Sequence, residues 1–584
     1  MEENRLEIIS KELKEFLAKY DTASTLGHLS FMMTHITDGI AKEELKGLSS
    51  PMRQLYYLAG LMMTQEGAEE QDLQFQQEDW QHIVDLLNDI DNEYYKLFIP
   101  KSPEENTENW RNSAEVAMPT FLAYFNLGPL NYEEQVIDQI QGTFTAMDDV
   151  IMGETGVETK DLLLFYDNLD AWCQYNLSSL SQVSDEKPLR ENWKDYTNIE
   201  IRVLDEVPDE IKALGEKNQP RFTLCADPGI AYRFKPADME TNGLSERKVQ
   251  VILDLLSVER QESEYLYYSE NNPLLTHPIV KLENGLYQVF EIKRVLHAIL
   301  SRLEEICKGK DAHKSRLTHH KGHYLESKIK ELFNKFFGKG VEIISNYFID
   351  GCEQDIMVLW KNYMFVVEAK AYSVKEPFRN PEKAFIRIES DFNDCVGYAY
   401  TQTRRIEDKM RAGKIFHLCD KNGNVVRTIN PEDYEENDFY IIVTQESFGP
   451  IQVDLSFLIQ IEDDRNYPWT VRCDDLEVFL LTLKAKKKNP DFFVDFLIFR
   501  ELLHGHIICM DEGEICGGFL TGKLTDKEAE SDAVIVTTHD LASVFDEQYY
   551  KGMGFKNERH WKEKKEKKIL GTIYLLTQTD KTVL

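Results

Sequence analysis

Residues 352–371, CEQDIMVLWKNYMFVVEAKA, hold acidic and basic side chains inside otherwise apolar runs. The runs Gln354–Trp360 and Tyr363–Ala371 are rich in β-branched and aromatic residues and are separated by Lys361-Asn362, which predicts a hairpin. With a two-residue turn, opposed residue numbers sum to 723, so Trp360 faces Tyr363 and Asp355 faces Glu368. Their Cβ atoms then lie roughly 5 Å apart. Like charges that close repel unless a cation or a proton sits between them, and a hard divalent metal suits two carboxylates. Lys370 follows Glu368 by two residues and so projects from the same face of the strand. Charges seldom enter such apolar runs unpaired, which favours a functional patch over edge-strand decoration.

Two helices are expected to flank the hairpin. In Tyr324–Phe337, residues Leu325, Ile329, Leu332, Phe333, Phe336 and Phe337 form an apolar stripe with Glu326 at its border. In Asp391–Met410, Gln402 lies in line with Cys395, Ala399 and Ile406, and Arg405 follows close behind it.

Glu326 on a helix, Gly351-x-Glu353-x-Asp355 and Glu368-Ala369-Lys370 closing a strand together resemble the PD-(D/E)xK nuclease superfamily, the restriction-endonuclease-like and Mrr-like enzymes, over residues 315–450. Gln402 matches the glutamine that several branches carry on the helix after the ExK strand. Gln354 stands where the superfamily name has proline. The resemblance implies an α/β core with a mixed sheet. It also implies catalytic roles for Glu326, Asp355, Glu368, Lys370 and Gln402, and Mg²⁺ (or Mn²⁺) held by Glu326, Asp355 and Glu368.

The elements that must position these residues sit in a chain of 584 residues with a formal charge of −35 and 42% hydrophobic content, enough for several cores. Acidity is concentrated at the front: residues 1–200 hold 38 acids and 14 bases, a net of 14 − 38 = −24. Residues 301–339 reverse the balance, with 10 bases against 5 acids, as contact with phosphates requires. Four segments are expected: an acidic helical domain over 1–200, a mixed α/β connecting domain over 201–310, the nuclease domain over 311–460 and a C-terminal α/β accessory domain over 461–584. The fold class is α+β multidomain.

Helical spacing marks Arg5–Tyr20, Pro51–Met63, Asp79–Leu97, Tyr132–Gln141 and Thr159–Leu180. Short strand-like pieces are expected around Pro208, Pro220, Pro228 and Pro236, and a type I′ hairpin at Asn284-Gly285. Lys308–Lys321 reads as a polar connector, and a second hairpin is expected at Asn422-Gly423. The strand Asp438–Thr444 is placed to extend the nuclease sheet, and the basic run at 561–568 reads as a solvated helix end.

Nine scattered cysteines without a CxxC, and the lack of any long apolar run, point to a reducing cytosol and no membrane span. His319, His320 and His323, and separately His504, His506, Cys509 and Cys516, have spacings that could be drawn as metal sites but match no standard zinc motif. The expected activity is Mg²⁺-dependent hydrolysis of DNA in restriction or antiviral defence. The acidic front is expected to serve as sensor, inhibitor or docking surface for a protein partner or a second copy. The competing expectation is a non-catalytic nucleic-acid-binding or scaffold protein on a nuclease-like fold.

Overall fold

The computed structural model describes residues 5–558 apart from 37–38, 40, 74, 125–130, 182–192, 199–218, 220, 378–380, 463–464, 531–532 and 557. The strand-like pieces expected at Pro208 and Pro220, and the basic run at 561–568, lie outside the described residues. The chain divides into two compact units: residues 5–97 group with Val136–Lys314, and Phe98–Gln135 group with Ser315–Glu558. Residues 98–135, expected within the acidic helical segment, therefore belong with the part that carries the hairpin, as does the C-terminal segment expected as a separate accessory domain.

The first unit is built of helices around a small four-stranded sheet. Helices form at Arg5–Phe16, Pro51–Met63, Gln77–Lys96, Glu133–Phe144 and Thr159–Ser181, close to the expected bounds. The Asn284-Gly285 hairpin is present, but only Gly285 has a positive φ and its loop spans 282–286, so the turn is not type I′. Pro228 and Pro236 each open a short 3₁₀ turn, and between the two turns lies the short strand Arg233–Phe234.

The second unit opens with helix α1 (Glu108–Tyr124). Helix α2 (Asp311–Phe337) begins well before the expected Tyr324. The polar connector is thus mostly helix, because Leu317 and Lys321 continue the buried stripe of Leu325 and Ile329 toward the N-terminus. Three antiparallel strands follow: β1 (Val341–Ile349), β2 (Cys352–Trp360) and β3 (Tyr363–Lys370). Asp350 and Gly351, with φ of 51° and 80°, close the β1–β2 hairpin as a type I′ turn permits. The β2–β3 register pairs Trp360 with Tyr363 and Ile356 with Val367, as the summed numbering requires.

Helix α3 (Pro381–Phe392) and helix α4 (Tyr398–Arg411) come next, joined by a π-helical turn at Asn393–Gly397. Strands β4 (Phe416–Cys419) and β5 (Val425–Ile429) form the Asn422-Gly423 hairpin. Strand β6 (Asp438–Thr444) runs parallel to β3, and β7 (Trp469–Arg472) parallel to β6. The result is a mixed seven-stranded sheet in the order β7-β6-β3-β2-β1-β4-β5. Helices α5 (Cys473–Ala485), α6 (Pro490–Glu501) and α7 (Glu512–Thr521) complete the unit's main elements.

Side chains alternate across β2 and β3, and both faces are covered. Ile356, Val358, Trp360, Phe365 and Val367 pack with Leu325, Ile329, Phe333 and Phe337 of α2, and with residues of α5 and α6. Met357, Leu359, Met364 and Val366 pack with Ile406 and Met410 of α4. The central strands read as continuous apolar runs because they are buried on both sides. Phe337 stacks at 5.2 Å from both Trp360 and Phe365 and reaches Phe493 of α6. Phe337→Ala opens a cavity among three rings and is expected to destabilise this unit by about 3–5 kcal/mol, read as a lower urea midpoint at unchanged slope. No described helix is long and apolar enough to cross a membrane.

Candidate functional site

The charged residues of the hairpin sit where the β2–β3 ladder ends. Past the last pair, Ile356 with Val367, side chains take over from the backbone. The Ala369 N–H donates to Asp355 Oδ2 at 2.8 Å, and the Asp355 N–H approaches Glu368 Oε1 at 3.5 Å. Lys370 Nζ lies 3.3 Å from Asp355 Oδ2 and 3.1 Å from Glu368 Oε2, bridging the two carboxylates. Glu368 is fully buried, while Asp355 and Lys370 retain 20% and 15% exposure, so the cluster opens to solvent on one side only.

Period-two alternation places Asp355, Glu368 and Lys370 on the α4 face, with Met357 and Val366. Burial, and then the Asp355 charge, push the Glu368 carboxyl up to about 8, although Lys370 pulls it back. Burial opposes the charge of Lys370, but the two carboxylates outweigh it and hold the ammonium above its ordinary range. Crowding of the two carboxylates in a buried place thus favours a proton on Glu368, with Lys370 charged between the pair.

Glu326 is half-buried on α2. Burial and the Asp355 charge raise its carboxyl, while Lys330, His323 and a hydrogen bond with Asn346 lower it. Asn346 has a φ of 52° and interrupts the β1–β2 register between the pairs Ser345 with Ile356 and Tyr347 with Gln354. Asparagine tolerates that left-handed conformation. Gln402 is buried on the α4 stripe that includes Ala399 and Ile406, and its Oε1 has no hydrogen-bond partner among the described residues. A buried acceptor without a donor is costly, which marks it as a group awaiting one.

The structure therefore brings Asp355, Glu368 and Lys370 into contact, sets Glu326 within electrostatic reach of Asp355, and leaves Gln402 facing inward without a bond to Lys370. Tyr347 was not anticipated. Its hydroxyl is buried without a hydrogen-bond partner among the described residues, and burial together with Glu368 and Asp355 raises its pKa. Only the Asp350-Gly351 turn, which defines β1, could have brought it to notice.

No group of three or more His, Cys, Asp or Glu among the described residues is disposed to hold a metal ion. Asp355 and Glu368 converge as a pair that Glu326 does not complete into a cage. Two hard carboxylates still suit Mg²⁺, an ion that keeps much of its water and needs no all-protein shell. His319 and His323 are exposed on α2. His504 is packed away: its Nδ1 accepts from the Leu455 N–H, and burial and Arg500 push it down to about 4. The Cys509 thiol donates to the Asp511 carbonyl at 3.0 Å.

The basic flank is less available than composition suggests. Lys308, Lys314 and Lys328 pair with Glu304, Asp311 and Glu477, and Lys321 is buried against Ser373. No family model matches this chain, and neither any curated protein nor any solved structure does at a significant level.

Proposed function

We propose that the chain is a divalent-metal-dependent endonuclease that hydrolyses phosphodiester bonds, with DNA as substrate and restriction or antiviral defence as its setting. The convergence of Asp355, Glu368 and Lys370 at a partly open strand end carries the reading. A carboxylate pair in an apolar surround costs stability on its own, and its retention calls for a use. The order of Glu326 on a helix, the hairpin, and Gln402 on the following helix, set on a mixed sheet, supports the likeness to PD-(D/E)xK enzymes.

Phosphodiester hydrolysis builds negative charge on the phosphoryl oxygens and needs a hydroxide delivered in line. Mg²⁺ or Mn²⁺ supplies charge neutralisation and a bound water of lowered pKa. Asp355 and Glu368 are the oxygen donors that would hold the ion, and Glu326, hydrogen-bonded with Asn346, would add a third carboxylate through water. Lys370 orients the attacking water and offsets developing charge. Gln402 accepts a hydrogen bond from Lys370 or from a water beside it. The acidic front of the chain is the proposed docking surface for a basic protein partner or a second copy.

One observation favours a second reading: Lys370 bridges both carboxylates as an ion pair, which also suits a non-catalytic nucleic-acid-binding or scaffold protein. Purified protein incubated with supercoiled plasmid separates the two. Nicked and linear products bearing 5′-phosphate ends are expected with Mg²⁺ or Mn²⁺ and absent with EDTA. Intact plasmid under every metal condition selects the scaffold.

A further inference from the structure

Beside the carboxylate–lysine cluster, the π-helical turn and the start of α4 border a groove with about 550 Å³ of room, within the range of small-ligand sites. Tyr398 belongs to both places: it lines the groove, and Lys370 Nζ lies 5.8 Å from its ring centroid. Tyr398 is 54% exposed, unusual for a large aromatic beside a mostly buried ion cluster. Leu458 and the mostly buried Ile459 line it with apolar groups, Tyr400 borders it with its ring beside Arg404, and Asn393, Thr401 and Gln460 add groups able to donate or accept hydrogen bonds. Asp394 at the rim is answered by Lys375 at 3.5 Å. Arg405, four residues beyond Thr401 and seven beyond Tyr398, shares their helix face and makes no ion pair among the described residues.

An exposed aromatic next to a lysine of the carboxylate cluster, mixed polar edges with no fixed code, and an arginine without an ion pair among the described residues one turn on are the parts of a stacking platform for an unpaired base. Bases in a duplex are covered on both faces by their neighbours, so this groove can receive one only after it has left the stack. We infer that the groove takes an unpaired nucleobase stacked on Tyr398, with the phosphate beside that base presented to Lys370 and the next one toward Arg405. The substrate is then single-stranded DNA, or an unpaired stretch within a duplex, in preference to blunt duplex. The inference rests on the nuclease reading of the cluster and adds to it the class of substrate. Transiently unpaired regions of a supercoiled plasmid meet the same requirement.

The test uses the full chain in EDTA, where no turnover occurs, with a fluorescein-labelled single-stranded DNA oligonucleotide, its blunt duplex, and a single strand carrying 2-aminopurine. Single strand is expected to bind at least about tenfold more tightly than duplex and to quench the 2-aminopurine. Tyr398→Ala is expected to lose about tenfold in affinity together with the quench, and Tyr398→Phe to keep both, at unchanged thermal melting. Equal affinity for both forms, no binding of either, or a Tyr398→Ala variant that binds and quenches like wild type overturns the inference. Wild-type protein that quenches but never cuts in Mg²⁺ defeats the nuclease reading while leaving the platform standing.

Discussion

Asp355→Ala and Lys370→Ala each lower metal-dependent plasmid cleavage by at least about 10²–10³-fold, the loss that follows removal of one preorganised charge-stabilising group. Asp355→Ala removes one of two converging oxygen donors and also the acceptor of the Ala369 N–H. Lys370→Ala leaves Asp355 and Glu368 facing each other without their cation. Glu368 already holds its proton up to about 8, so at neutral pH a shared proton replaces the ammonium and the fold survives. Circular dichroism and the urea midpoint check the second half of that expectation. Activity equal to wild type in either variant, with product formation still dependent on metal, removes the cluster from the mechanism.

A larger effect on stability is expected at Arg500. It is 1% exposed, and its Nε and Nη2 donate to Glu512 at 2.8 and 3.1 Å, with Nη2 also reaching the Val453 carbonyl. Trp469 Nε1 completes the acceptor set of Glu512 at 2.8 Å. Arg500→Met strands a buried carboxylate and is expected to destabilise the unit by about 3–5 kcal/mol. The double variant Arg500→Met with Glu512→Gln keeps an acceptor for Trp469 and removes the stranded charge, so it should lose less than Arg500→Met alone. Urea unfolding of the double variant and of both single variants, Arg500→Met and Glu512→Gln, decides it. Strictly additive losses would show that the pair contributes nothing as a pair.

The hairpin was legible because its two apolar runs and its two-residue gap fix the register once strands are assumed, and register alone sets Asp355 beside Glu368. The strand at Asp438–Thr444 was legible for the same reason: a short β-branched run with breakers on both sides. What escaped depended on long-range packing. Strand β1 carries a left-handed asparagine and is only partly buried over much of its length, so its apolar signal is diluted. Helix α1 contains Pro119 and weak amphipathic spacing, and its membership in the hairpin's unit follows from contacts with segments hundreds of residues away. The stripe of Cys395, Ala399, Gln402 and Ile406 is buried as its spacing requires, but the π-helical turn at Asn393–Gly397 leaves no mark in that spacing. Ion pairing of the basic flank was equally invisible, since three of its lysines find acids along or beyond their own helix.

The grouping of residues 98–135 with 315–558 has a bearing on the order of synthesis. Asn131 bonds Asp474 and Gln135 bonds Glu477, partners that leave the ribosome more than three hundred residues later. The early strip meets its partners, which lie on later helices, only after Val136–Lys314 has been made. A chain cut to begin at 315 would lack this strip, and α3 would lose its packing against α1. A translation product that stops short of α5 carries the hairpin of Asp355 and Glu368 but lacks Asp474 and Glu477, the partners of Asn131 and Gln135.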